Sequence, residues 1–238
     1  MRAMFFANKK REMVVNIAFY ILFTGIAFLG ILYGNAIRNE HHFLRIWEYE
    51  NLLWLCLGIP FLFLMQKAGI PNFWDQTISA EQKFVFPVMI GIFFGILDVF
   101  VWKFILHPQP YEELPPFLQP FPYSLFLFFS GAFEIEVFYR LIPLTCIVLL
   151  GHWVAKGKYS TYFFYADVFL TSLREPLEQW PNEGLLLVAY SLLSGFVMNA
   201  LQAIYFKRAG FLASLCLRLG HYFIWHILLG IYVEGYEL

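Results

Sequence analysis

The stretch Gly131-Ala132-Phe133-Glu134-Ile135-Glu136-Val137-Phe138-Tyr139-Arg140-Leu141-Ile142-Pro143 sets two carboxylates and a guanidinium inside a run that is otherwise apolar from about 123 to 154. Its reading decides the fold. If the run crosses a bilayer, each ionisable group there costs roughly 2.5–3.5 kcal/mol on insertion scales, and such residues are functional candidates by default. Glu136 and Arg140 are four apart, which stacks them on one helix face and predicts an ion pair. Glu134 lies two residues from Glu136, about 200° around a helix, so it is expected to point elsewhere.

The rest of the chain supports the membrane reading. Its 238 residues are 60% hydrophobic, 21% aromatic and 14% charged, with a mean hydropathy of +0.63; soluble domains carry roughly 25% charged residues. An all-α polytopic membrane helix bundle of about seven transmembrane helices, forming one domain over 1–238, is expected. A nucleic-acid partner is excluded by a net charge of −1 and by Lys and Arg that form no basic stripe. The bilayer is the expected partner. Cys56, Cys146 and Cys216 fall in apolar runs without metal-ligand spacing and read as small packing residues, not disulfides.

Outward from the charged stretch, apolar runs mark the other elements. Residues 14–33 are too long for a signal-peptide core and form a first span. Residues 52–65 contain Gly58-Ile-Pro60, which makes a kinked span or a re-entrant segment, and 84–106 form a third span interrupted by Asp98. Between 107 and 122, Pro108, Pro110, Pro115, Pro116, Pro120 and Pro122 forbid a helix. An aromatic-rich segment at 159–173 containing Asp167 is a weak fifth element, 174–183 a loop, and 185–206 and 211–233 the last two spans, linked by 207–210. With the N-terminus cytoplasmic and seven crossings, most Lys and Arg at helix ends fall inside while Arg38, Arg45 and Arg174 fall outside; the positive-inside bias therefore predicts an outer C-terminus.

The later spans add Asn199, Gln202, Arg218, His221 and His226. A membrane-embedded carboxylate beside an arginine stays ionised and can activate water, and a histidine from a neighbouring helix can pass a proton. Glu136 is then the candidate base, Arg140 its orienting partner and His221 the assisting group. The plainer reading makes Glu136–Arg140 a structural ion pair, Asp98 a helix-contact residue, His226 an interfacial histidine and Glu112-Glu113 a solvated pair. His221 and His226 are the candidates for holding a divalent metal such as zinc. Their spacing of five argues against both gripping one ion, since helical histidine ligands usually sit four apart.

Glu136-x-x-x-Arg140, followed by two C-terminal spans joined through Tyr205-Phe-Lys-Arg208-Ala-Gly210, resembles the CPBP intramembrane proteases, the CAAX prenyl protease and bacteriocin-processing family. The resemblance covers about 124–229. It implies hydrolysis of a membrane-anchored peptide or protein substrate by glutamate-activated water with histidine and asparagine assistance, possible metal participation, and a prokaryotic plasma membrane. The family pattern is incomplete here. Ile135 stands where its first Glu belongs, with Glu134 one residue early; Asn199 is a partial stand-in for the histidine of the second motif; and His221 is followed by Trp225 where Asn or Asp is expected. Three functions follow as expectations: a divergent intramembrane endopeptidase using Glu136, Arg140, Glu134, His221 and Asn199; a non-catalytic membrane scaffold or maturation partner; and a small proton-coupled transporter built on Asp98, Glu134 and Arg218, which the absence of an internal repeat disfavours.

Overall fold

The computed structural model describes residues 2–41, 43–178 and 184–238. Met1, His42 and 179–183, on which parts of the expected N-terminal segment and loops fall, lie outside the described residues. The described chain is all-α: seven helices and no strand. They are α1 (Arg2–Ile37), α2 (Tyr49–Lys67), α3 (Glu81–Leu106), α4 (Tyr123–Glu136, Val137–Leu141 and Ile142–Trp153 in continuous succession), α5 (Ser160–Glu178), α6 (Leu185–Ala209) and α7 (Phe211–Tyr236). Five of them, α1 from Arg11 onward, α2, α3, α6 and α7, are long and apolar enough to cross a membrane. The 26 residues of α3 reach about 39 Å at ~1.5 Å per residue, beyond the ~30 Å of a hydrocarbon core. Helix α4, with Glu134, Glu136 and Arg140, and helix α5, with Asp167, Arg174, Glu175 and Glu178, are not among the five.

Two boundaries differ from expectation for identifiable reasons. Helix α5 continues through Arg174 to Glu178 with Pro176 inside it, where the sequence predicts a loop from 174. The proline ring is seated against α6: a Cβ added to Gly195 would lie 2.9 Å from Pro176 Cγ. Helix α6 runs to Ala209, so the link to α7 shrinks to Gly210, whose φ of +87° is a left-handed value suited to glycine. Helix α2 is a 19-residue helix long and apolar enough to cross a membrane, interrupted by a 3₁₀ turn at Cys56–Gly58 ahead of Pro60. At that turn Tyr20 of α1 donates to the Leu55 carbonyl at 2.6 Å. Cys56 and Cys146 are exposed on the outside of the bundle and Cys216 is half-buried, all as free thiols.

Aromatic side chains form much of the core. Phe73 stacks on Phe211 with centroids 4.5 Å apart, and Tyr20 meets Phe133 edge-on at 5.0 Å. Helices α3 and α7 approach more closely than side chains would allow. A Cβ on Gly91 would collide with the Leu217 carbonyl, one on Gly95 would come 2.9 Å from the His221 carbonyl, and one on Gly220 would come 3.1 Å from Val88 Cα. Gly91-x-x-x-Gly95 is thus a small-residue seam of the kind that lets membrane helices pack backbone to backbone.

The proline-rich segment 107–122 contains no helix and lies as a strap across one end of the bundle. Glu237 fixes it: its carboxylate accepts from Lys103 Nζ at 2.9 Å and from the Tyr111 N–H at 2.9 Å, while Lys103 also donates to the Gln109 carbonyl at 2.8 Å. Burial, together with the nearby Glu237 charge, pushes the Tyr111 phenol above its ordinary pKa. Glu234 accepts from the Phe121 N–H at 3.1 Å. Glu112 and Glu113 stay exposed.

Candidate functional site

The buried charged residues of the helices sort into two assemblies. The first is a largely buried network of arginines, glutamates and amides. Arg218 donates to both oxygens of Glu175, at 2.8 and 2.7 Å, to Glu136 at 3.3 Å, to Asn199 Oδ1 at 3.1 Å and to Gln202 Oε1 at 2.9 Å. Arg140 donates to the same two amide oxygens, at 2.5 Å to Asn199 and 3.0 Å to Gln202, and to its neighbour's carbonyl at Tyr139. Ser214 donates to the second oxygen of Glu136. Glu136, Arg140, Gln202 and Arg218 are wholly buried. Two arginines against two glutamates balance the charge, and the shared amides tie α4, α5, α6 and α7 together.

This corrects the pairing drawn from spacing. Glu136 bonds Arg218, 82 residues away, and Arg140 bonds Asn199 and Gln202 rather than Glu136. The helix is not regular at that point: Val137–Leu141 forms a π turn between the two residues, a local widening that is frequent at functional positions. Asp167 of α5 is also fully buried, and neither of its carboxylate oxygens has a hydrogen-bond partner among the described residues.

The second assembly lines a cavity of about 550 Å³. Glu134, Asp98, Tyr190, His221 and His226 border it, together with the cavity-facing edges of Asn199, Arg218 and Glu175 and an aromatic wall that includes Trp47, Trp102 and Trp225. Asp98 is the centre of its polar side. One of its oxygens accepts from the Tyr190 hydroxyl at 2.6 Å and the other lies 2.6 Å from His221 Nε2. His221 is nearly buried, and its Nδ1 has no hydrogen-bond partner among the described residues. The tautomer that donates from Nε2 to Asp98 leaves the Nδ1 lone pair free. Neighbouring helix backbones position this pair: Gly91 and Gly95 bring α3 onto α7 at the level of His221, and Asp98 follows on α3 within a turn of Gly95.

Glu134 diverges from Glu136, as helical spacing requires, and faces this cavity; its hydrogen bond is a long one from Asn51 Nδ2 at 3.4 Å. Glu136 and Arg140, the other two members of the charged stretch, do not border it. Asn199 does, but its side-chain oxygen already serves both arginines and its nitrogen donates to the Gly195 carbonyl at 2.8 Å.

His226 is not a residue of the bundle's periphery. It stacks on Phe128 with centroids 4.0 Å apart, and its Nδ1 donates to the Phe117 carbonyl of the strap at 2.7 Å. Both histidines border one cavity, against the expectation that a spacing of five separates them. A π turn at Phe223–Leu228, closed by i→i+5 hydrogen bonds, brings residues five apart towards one face. No third ligand joins them: among the described residues no group of three or more His, Cys, Asp and Glu side chains is placed to hold a metal ion.

Sequence reasoning misses Tyr190 and Glu175 as members of these assemblies, and names Asp98 as a helix-contact residue and in the transporter expectation, not as the partner of His221. The Gly91-x-x-x-Gly95 pattern just before Asp98 is the signal that would have pointed α3 at α7. No family model matches the chain, and no curated protein or solved structure does either.

Proposed function

We propose that the chain is a membrane-embedded peptide hydrolase in which His221, oriented by Asp98, is the general base. The observation that carries the reading is the Asp98–His221 contact of 2.6 Å in the wall of a cavity of about 550 Å³, with the His221 Nδ1 buried beneath that wall and without a hydrogen-bond partner among the described residues. Base and orienting carboxylate in hydrogen-bond contact are the arrangement that proton abstraction from water requires. Water gives a proton to Nδ1, the resulting hydroxide attacks the carbonyl carbon, and the imidazolium returns its proton to the departing amine. Tyr190 holds the second oxygen of Asp98, so the carboxylate keeps one direction open towards His221. Glu136, assigned the role of base from sequence, is wholly buried and bonded to Ser214 and Arg218, which favours a packing role. No step here uses a metal, because His221 and His226 lack further ligands among the described residues.

The finer topology belongs to the same proposal: seven crossings, a cytoplasmic N-terminus and an outer C-terminus, with the chain a divergent relative of the CPBP proteases in a prokaryotic plasma membrane. The expected substrate is a membrane-anchored polypeptide. The test is cleavage of a membrane-anchored reporter library in proteoliposomes, with Asp98→Asn and His221→Ala abolishing turnover; turnover that persists in His221→Ala sinks the reading. One observation favours a non-catalytic scaffold instead, namely that the glutamate and arginine shared with the family motif are spent on packing. Under that reading neither substitution at the Asp98–His221 pair changes binding of the maturation partner.

A further inference from the structure

The carboxylates around the cavity are unequally served. Glu175 is neutralised by two bonds from Arg218, and Asp98 receives His221 and Tyr190. Glu134, half-buried in the cavity wall, has a single long hydrogen bond from a neutral amide, Asn51, and no cationic partner among the described residues. A carboxylate withdrawn from bulk water without a counter-charge is costly, and the cost falls when a cation comes to it. Arg218, the buried guanidinium at the cavity, is already engaged by two glutamates, and Arg45 is an exposed residue of the rim. The lining of the same cavity includes the rings of Trp47, Phe128 and Trp225, and aromatic faces attract cations in addition to burying apolar surface. The same wall contains the nearly buried His221, whose Nδ1 is a buried atom without a hydrogen-bond partner among the described residues.

We infer that the cavity binds a ligand bearing a positive charge on an apolar stem, and that Glu134 is the group that pairs with that charge. On the hydrolase reading, on which this form of it rests, the ligand is a polypeptide with a Lys or Arg side chain next to the bond cleaved. Glu134 then selects the substrate and His221 performs the chemistry, a division of labour between the two groups that sequence reasoning places in one site.

The test uses the full chain in lipid nanodiscs, with empty nanodiscs as control, and reads tryptophan fluorescence from the cavity wall. The probes are two molecules of like shape and opposite charge, phenethylammonium and 3-phenylpropionate. Phenethylammonium is expected to bind saturably and at least about tenfold more tightly than the anion. Glu134→Gln, which keeps the side chain's shape and its contact with Asn51, is expected to erase the preference, and Glu134→Lys to reverse it. Absence of saturable ammonium binding, or a preference unchanged in Glu134→Gln, overturns the inference. His221→Ala should keep the preference, because binding needs no turnover. A chain that selects the cation yet cleaves nothing therefore defeats the hydrolase reading alone, and one that cleaves without regard to basic residues defeats this inference alone.

Discussion

The buried network and the cavity draw on the same helices and the same residue types but end in opposite conditions. In the network around Arg140 and Arg218, two guanidiniums face two carboxylates and share two amide oxygens. Around the cavity, Glu134 lacks a cationic partner and His221 Nδ1 a hydrogen-bond partner among the described residues. A set of opposite charges bonded to one another fixes packing, because removing one member leaves its partners buried without a counter-charge. An unsaturated set bordering open volume is where a ligand lowers the free energy. The charge of a residue inside a helix bundle therefore says less about function than the completeness of its partnerships, and the stretch 131–143 contributes to both regions.

Substitutions can break this contrast, beginning with the largest effect. Arg218→Met leaves Glu136 and Glu175 buried without their guanidinium and should destabilise the fold by about 3–5 kcal/mol, read as the shift of an unfolding transition in detergent. A loss below ~1 kcal/mol would remove the network's structural role. His221→Ala should do the reverse, removing turnover, a loss of at least roughly 10²–10⁴-fold, while the unfolding transition stays close to that of the parent. Tyr190→Phe removes one of the two bonds on Asp98; the expected loss is about fivefold in turnover, in line with ~1 kcal/mol for a hydrogen bond, with substrate affinity unchanged. The smallest effect is expected at Gly131, where an added Cβ meets nothing within 4 Å. Gly131→Ala should stabilise α4 by roughly 0.5–1 kcal/mol, and a destabilised protein would show that the cavity wall is tighter there than its geometry indicates.

The helices were legible because apolar runs of sufficient length leave few alternatives in a bilayer. The divergence of Glu134 from Glu136 was legible as well, since it needs only the helical period. Partnerships were not: Glu136 with Arg218, and Asp98 with His221, are set by which helices touch, and no local pattern in the charged stretch encodes it. Glu175 was hidden by Pro176, which in water ends most helices but here continues one against Gly195. The π turn at Phe223–Leu228 was invisible for a different reason, because it changes the helical period itself on which the separation of His221 from His226 was argued. The pairing of Glu136 with Arg140 failed through competition: amides and a second arginine on neighbouring helices offered better geometry.

The contact between α3 and α7 has a consequence for how this chain tolerates change. Gly91, Gly95 and Gly220 keep two backbones at a distance that no other residue permits. Asp98 and His221 stand on opposite sides of that contact. Adding a single methyl group at any of the three glycines widens the gap between acid and base without altering either. The spacing of the pair is in this sense inherited from atoms that are missing, and the positions most sensitive to mutation include some with no chemistry of their own.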